Sequence, residues 1–244
     1  MSQNRFNVPY YAQSAEFTCG PACVLMVMKH FKPALKIDRN LEFEVWRQCN
    51  MIGVKGADPY GLSVPLMDAG YDVRLITQWR RLVDPRRWKT RVRRHFTAEE
   101  ADLSLMGMVQ NQKRARKRHL RIEFKRPTVS DILHGVGEGL VPIALVHMGV
   151  VHSLNIPHWV VVTDANNEQI TFNDPYPPKG RKGSLNGRVR SPWREFEFWF
   201  MVVQHTVVPK LSLSLALQNW PRIRGNLMEN ARSRKLQFNV LKYC

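Results

Sequence analysis

An uninterrupted apolar run near the N-terminus constrains the fold of this chain more than any other feature. The stretch CGPACVLMVMKHF, residues 19–31, carries an apolar residue at nearly every position, and Pro21 fits the first turn of a helix. A helix that is apolar on all sides has to be buried. With 244 residues, 44% of them hydrophobic, the chain can build a core around such a helix. We therefore expect an ordered globular fold that encloses this helix.

The pattern changes from helical to extended along the chain. Further helices are predicted at EFEVWRQCN, GLSVPLMDAG, TVSDILHGVGEG and, behind the capping box of Thr97 and Glu100, TAEEADLSLMGMVQNQKRARKRH. Strands are predicted at YDVRLI, LRIEFK, VPIALVHM, HWVVVTDA and QITFNDP, the last two as a hairpin. PPKGRKGSLNGRVRSP is interpreted as a loop, and a short helix followed by a strand is predicted in PWREFEFWFMVVQHTVV. Helices first and antiparallel strands last indicate an α+β fold.

The positive charge is concentrated in the middle of the chain. Between Arg74 and Arg126 there are 17 Lys and Arg residues against five acids, which supplies +12 of the net charge of +17. A field of this size attracts polyanions such as RNA, an acidic membrane surface or an acidic peptide. The same composition is also compatible with a solvated face on a charged, helical insert.

Cysteine usage and targeting signals narrow the class of protein. The four cysteines have no C-x-x-C spacing, so neither a disulfide framework nor a metal site is predicted, and no cofactor is expected. The longest apolar runs are too short to span a bilayer. The N-terminus MSQNRFNVPYY lacks the apolar core of a signal peptide, so we expect a cytoplasmic protein.

The two cysteines of the apolar helix differ in position. Cys19 lies at the predicted helix N-terminus, where free N–H groups and the helix dipole stabilise a thiolate. Cys23 lies one turn further in, where a thiol is ordinarily inert packing. Cys19 is therefore the candidate nucleophile, although a small buried residue is an equally good interpretation of Cys19 alone.

A nucleophilic thiol needs a base, and the base needs an orienting partner. His158 begins the strand HWVVV, and Asp174 ends the next strand, so a hairpin brings the two together. His152 is the main rival for the base. Gln13, a neutral donor upstream of Cys19, is a candidate to stabilise negative charge on a reacting carbonyl oxygen. Taken alone, Gln13 would be an ordinary polar surface residue.

These residues resemble a known family. The motifs VPYYAQSAEFTCGPACVLMVM, HWVVVTDANNEQITFNDPY and REFEFWF resemble papain-like cysteine peptidases, and more narrowly the C39-type peptidases and their stand-alone C39-like relatives. The resemblance implies a papain-like fold, with Cys19 as nucleophile and His158 as general base. It likewise implies Asp174 as the residue that orients the base and Gln13 in the oxyanion hole. It covers about residues 6–208 but not the basic middle.

The predicted organisation is one C39-like peptidase domain over residues 1–208, with a basic helical insert at about 78–126, and a peripheral basic extension over 209–244. The favoured function is a cysteine peptidase or amidase acting on a peptide or protein substrate, with an acidic peptide preferred on charge. Two alternatives stay open. One is acyl transfer through a thioester at the same site. The other is a non-catalytic nucleic-acid-binding or adaptor protein on a peptidase-like fold, which is less favoured because no nucleic-acid motif is present.

Overall fold

Five helices and a seven-stranded sheet make up the part of the chain that the structure describes. The structure is a computed structural model, and it describes residues 6–78, 96–147, 157–176, 187–193 and 202–207. The helices are α1 (Cys19–Phe31), α2 (Arg39–Cys49), α3 (Pro59–Asp68), α4 (Ala98–Lys117) and α5 (Val129–Gly137). The strands are β1 (Asp72–Thr77), β2 (Arg121–Glu123), β3 (Val141–His147), β4 (Pro157–Ala165), β5 (Gln169–Asn173), β6 (Arg188–Pro192) and β7 (Val202–Val207). The α+β class is confirmed.

The sheet joins the two halves of the chain. Its strand order is β2-β1-β7-β3-β4-β5-β6, so the late strand β7 lies between β1 and β3. All neighbouring strands are antiparallel except β1 and β2, which are parallel. The predicted hairpin of β4 and β5 is confirmed, with Val161 opposite Asn173. The N-terminal helices and the C-terminal strands therefore form one layered body.

Two apolar clusters lie on opposite faces of the sheet. Successive residues of a strand point to opposite faces, and β3 follows this rule. Ile143 and Leu145 belong to the cluster that contains α1, α2 and α3, whereas Ala144 and Val146 belong to the cluster under α5. The sheet is thus buried on both sides, which explains the near-continuous Val and Ile runs of its central strands.

The apolar helix α1 is buried as predicted. Residues 20–28 are all buried, and the helix packs on β4 and β3. Only the two ends of the helix approach solvent, and Cys19 at the N-terminal end is partly exposed. Among the helices that the structure describes, none is sufficiently long and apolar to cross a membrane.

The loop predicted at PPKGRKGSLNGRVRSP is wrong in its last part, because Arg188–Pro192 forms the edge strand β6. Composition suggested a loop since Arg, Gly and Pro are rare in central strands. An edge strand tolerates them, because one side of its backbone needs no partner and charged residues protect it from aggregation. Pairing of Phe172 with Val189 in β5 and β6 supplies the tertiary contact that local sequence does not show.

The second half of the basic middle is integrated into the fold. Helix α4 begins at the predicted capping box and packs against α3. Apart from Met108, its buried residues are small or polar, namely Ala101, Ser104, Gly107, Asn111 and Ala115. Strand β2 then extends the sheet beside β1. The basic residues lie on the remaining surface of this helix. The inner face of α4 is therefore part of the domain, and its outer face is charged.

Some predictions fall outside the described residues. These are the basic helix predicted within 79–95, the short helix predicted within 194–201 and the C-terminal extension over 209–244. The strand predicted to follow that short helix is present as β7.

Replacing Gly107 by Ala should destabilise the protein. A Cβ at Gly107 would lie 2.5 Å from the Met51 carbonyl oxygen, so α4 would have to move away from the chain that follows α2. We expect a loss of about 1–3 kcal/mol in the free energy of unfolding, typical of overpacking. The measurement is chemical denaturation.

Gly137→Ala is the matched control, because a Cβ there has nothing within 4 Å. That variant should be neutral, or more stable by about 0.4–1 kcal/mol through reduced entropy of the unfolded chain. Equal effects of the two substitutions would contradict the close approach of α4.

Candidate active site

Cys19 is the first residue of α1, and this helix begins without a side-chain cap. The N-cap residue is Thr18, whose side chain makes no hydrogen bond to the helix N–H groups. The Thr18 hydroxyl instead donates to the Ala15 carbonyl oxygen at 2.9 Å. No side-chain cap therefore occupies the first turn, and the Gly20 backbone hydrogen-bonds to the thiol. This arrangement directs the positive end of the helix dipole at Cys19.

The β4–β5 hairpin brings His158 and Asp174 together. His158 lies at the start of β4 and Asp174 follows the last residue of β5, so both occupy the open end of the hairpin. The imidazole Nε2 lies 2.8 Å from Asp174 Oδ1. Both side chains are buried, with about 3% of each exposed. Because Nε2 is bonded to the carboxylate, Nδ1 is the ring nitrogen that remains for the Cys19 thiol, which hydrogen-bonds to His158.

The ionisation of Cys19 and His158 is coupled. Burial alone would raise the pKa of Cys19, but the hydrogen bond and charge of His158 and the backbone bonds from Trp159 and Gly20 lower it below its usual value. Burial alone would lower the pKa of His158, but hydrogen bonds to Asp174 and Cys19 raise it to about 9. Both shifts favour the thiolate–imidazolium pair over the neutral thiol and imidazole.

Backbone contacts fix Asp174 in turn. The Tyr176 N–H donates to Asp174 Oδ1 at 2.9 Å, and the Asp174 N–H donates to the Gly187 carbonyl at 2.8 Å. Gly187 has a φ of +65°, and a Cβ there would lie 2.0 Å from the Tyr10 ring. Only glycine therefore fits at this position. The hydrogen bond from the Asp174 N–H to the Gly187 carbonyl holds Asp174 at the end of β5.

Gln13 lies on the loop that precedes Cys19, and its side chain is buried with 5% exposed. Its backbone N–H donates to the Pro175 carbonyl at 2.8 Å, beside Asp174. Its side-chain Nε2 donates to the Ala15 carbonyl at 2.8 Å, and Oε1 has no hydrogen-bond partner among the described residues. An amide nitrogen carries two protons, so one N–H of Gln13 remains beyond the bond to Ala15.

Comparison with known proteins bears on this arrangement. The model of a family described as "Peptidase_C39 like family" matches residues 8–204. The chain belongs to this family. No curated protein that was compared with it matches by sequence. Among solved structures, the chain is similar to a crystal structure of the peptidase domain of Streptococcus ComA, a bifunctional ABC transporter involved in quorum sensing. The two sequences are 14% identical and the TM-score is 0.46, over 83% of this chain and 100% of that domain.

The other cysteines of this C39-like protein have a different environment. Cys23 and Cys49 are completely buried, and burial is the main reason that their pKa values are raised well above the usual value. The interpretation of Cys23 as core packing is confirmed. Cys244 lies outside the described residues, and so does His152, the rival candidate for the base. Within the described ranges, no group of three or more His, Cys, Asp or Glu side chains is placed to hold a metal ion.

Sequence reasoning missed two residues that hold the site. The Trp159 indole donates to the Ala57 carbonyl at 3.1 Å, which ties β4 to the segment before α3. The signal was present, because a buried indole N–H needs an acceptor. Glu42, on α2, is completely buried and accepts hydrogen bonds from the loop that carries Gln13. No local signal separates Glu42 from Glu44, the other acid of the same helix.

Replacing Asp174 by Asn should make Cys19 less reactive at neutral pH. Loss of the carboxylate removes a hydrogen bond that raises the pKa of His158, and a less charged imidazole stabilises the thiolate less. We expect the midpoint of the pH profile for iodoacetamide alkylation of Cys19 to shift to higher pH by about one unit, a typical effect of one nearby charge. Mass spectrometry of the labelled peptide gives the rate.

Asp164→Asn serves as the control, because Asp164 lies on the same strand as His158, away from the pair. An unchanged alkylation profile in Asp174→Asn would contradict the coupling of the three side chains.

Proposed function

We propose that the protein is a cysteine peptidase or amidase with Cys19 as nucleophile. The observation that carries this proposal is the continuous hydrogen-bonded chain from the Cys19 thiol through His158 to Asp174 at the N-terminus of a buried helix. A thiolate at a helix N-terminus beside an imidazolium is the activated form of a cysteine nucleophile. Membership of the C39-like family supports the same reaction class.

The reaction divides into two steps. In the first, the Cys19 thiolate attacks the carbonyl carbon of a peptide or isopeptide bond, and the imidazolium of His158 gives its proton to the departing amine. A thioester and a free amine result. In the second, His158 takes a proton from water, the hydroxide attacks the thioester, and the carboxylic acid leaves as the thiol is restored. Asp174 keeps the imidazole oriented through both steps.

Negative charge develops on the carbonyl oxygen in each step and requires donors placed beforehand. The backbone N–H of Cys19 and the side-chain amide of Gln13 are the groups proposed for this role. The buried position of Gln13 and its unused N–H support the assignment, because a donor in a water-poor site acts more strongly than one in water.

The proposed substrate is an acidic peptide. Lys113, Arg116 and Lys117 are exposed on α4, and the region from Arg74 to Arg126 carries most of the net charge of +17. Such a surface raises the local concentration of negatively charged chains.

Replacing Cys19 by Ala should abolish hydrolysis. Incubation with a mixed peptide library, followed by mass spectrometry, would show cleavage products for the wild-type protein and a loss of about 10³-fold or more for Cys19→Ala, as for other nucleophile deletions. Cys23→Ala removes a thiol of the same helix that is buried and is expected to retain activity.

Cleavage that persists in Cys19→Ala would contradict the assignment of the nucleophile. Addition of a small primary amine distinguishes hydrolysis from acyl transfer, because a transferase would convert the thioester to the amide instead of the acid.

Preference for acidic peptides should depend on salt. For a peptide that the protein cleaves, replacing flanking Gln by Glu is expected to raise kcat/KM at low ionic strength, and the gain should vanish at high ionic strength through screening. A combined Lys113→Ala, Arg116→Ala and Lys117→Ala variant should lose much of the gain while cleaving the neutral peptide at an unchanged rate. Equal kcat/KM for both peptides at low salt would contradict the preference.

A further inference from the structure

Glu42 is a completely buried carboxylate on the first turn of α2. Burial of a carboxylate is unfavourable unless hydrogen bonds replace its hydration, and Glu is among the residues least often buried. A buried acid in this position therefore needs compensating contacts, and Glu42 has them.

The hydrogen-bond donors around Glu42 come from two residues on either side of Gln13. The Ser14 N–H donates to Oε1 at 3.0 Å, and the Ser14 hydroxyl donates to Oε2 at 2.5 Å. The Tyr11 hydroxyl also donates to Oε2, at 3.0 Å. One carboxylate therefore holds both flanks of Gln13, across about 30 residues of sequence.

The loop is attached at two further points, and both belong to the candidate site. The Gln13 N–H donates to Pro175, which adjoins Asp174. The Ala15 carbonyl accepts from the Gln13 amide and from Thr18, which precedes Cys19. Glu42 is the attachment that comes from α2, so the loop is held by a third element besides the end of β5 and the start of α1.

We propose that Glu42 is a positioning residue for the oxyanion donor, holding Tyr11 and Ser14 so that the second amide N–H of Gln13 is directed at the carbonyl bound at Cys19. The inference rests on the proposed function. Glu42 does not contact the substrate and acts through the loop.

Glu42→Gln tests the proposal with little change in shape. A carboxylate offers two acceptor oxygens, whereas an amide offers one oxygen and two N–H groups. The amide nitrogen would face the hydroxyl or N–H donors of Tyr11 or Ser14, and at least one of these bonds would be lost. Glu44→Gln is the matched control, because Glu44 lies on the same helix with an exposed side chain paired to Arg47.

Two probes of the same thiol separate positioning from damage to the site. p-Nitrophenyl acetate acylates the thiolate through a tetrahedral oxyanion, releases p-nitrophenolate and leaves a thioester. Iodoacetamide alkylates the thiolate by displacing iodide, and no oxyanion forms. A group that acts on the oxyanion donor changes the first rate and leaves the second unchanged.

We expect Glu42→Gln to slow acylation by about 10-fold or more, a fraction of the 10²–10³ typical for removal of an oxyanion donor, with alkylation of Cys19 unchanged. Gln13→Ala should slow acylation further, and the double variant should be no slower than Gln13→Ala, because Glu42 acts only through Gln13. Glu44→Gln should leave both rates unchanged.

Three outcomes would overturn the inference: additive effects in the double variant, slower alkylation in Glu42→Gln, or acylation equal to wild type. If Glu42→Gln does not fold, Tyr11→Phe removes one donor from the same carboxylate. This variant should slow acylation and leave alkylation unchanged. An unchanged acylation rate would overturn the proposal. Failure of the proposed function looks different, because Cys19→Ala would then react with p-nitrophenyl acetate as fast as wild type.

Discussion

The buried bond between His158 and Asp174 is the interaction on which the candidate site depends. A buried imidazole ordinarily prefers its neutral form. The carboxylate and the Cys19 thiol reverse that preference and raise the pKa of His158 to about 9. The pH range in which the thiolate and the imidazolium coexist therefore ends at the raised pKa of His158 and begins at the lowered pKa of Cys19. Because β4 and β5 set the distance, a slip of one residue between them would turn one partner to the opposite face.

Helix α1 combines the stability of the core with the chemistry of the site. Its buried middle fixes the position of the helix, and a well-packed helix cannot shift without loss of many contacts. Its N-terminus has no side-chain cap, because Thr18 bonds to Ala15 instead. A cap would occupy N–H groups that stabilise the Cys19 thiolate. The same helix thereby makes Cys23 inert and Cys19 ionisable, although only one turn separates them.

Much of this arrangement could be predicted from short-range patterns. The apolar run specified α1, and the Val- and Ile-rich hairpin implied that His158 and Asp174 meet, which the structure shows at 2.8 Å. Other features depend on residues distant in sequence. Strand β6 exists because β5 offers it a partner, and local composition indicated a loop. Glu42 resembled any acid of an amphipathic helix, and its burial follows only from the approach of a loop 28 residues upstream.

The role of the basic middle of the chain also depends on contacts between residues distant in sequence. Asn111 is a polar residue that is buried with a partner, since its amide donates to Asp58 Oδ2 at 2.6 Å and so joins α4 to the N-cap of α3. The residue before that cap, Ala57, accepts the indole N–H of Trp159, which adjoins His158. Contacts thus continue from α4 to the candidate base, and the inner face of α4 is committed to the scaffold of the site. The outer face carries exposed cations such as Lys113 and makes none of these contacts.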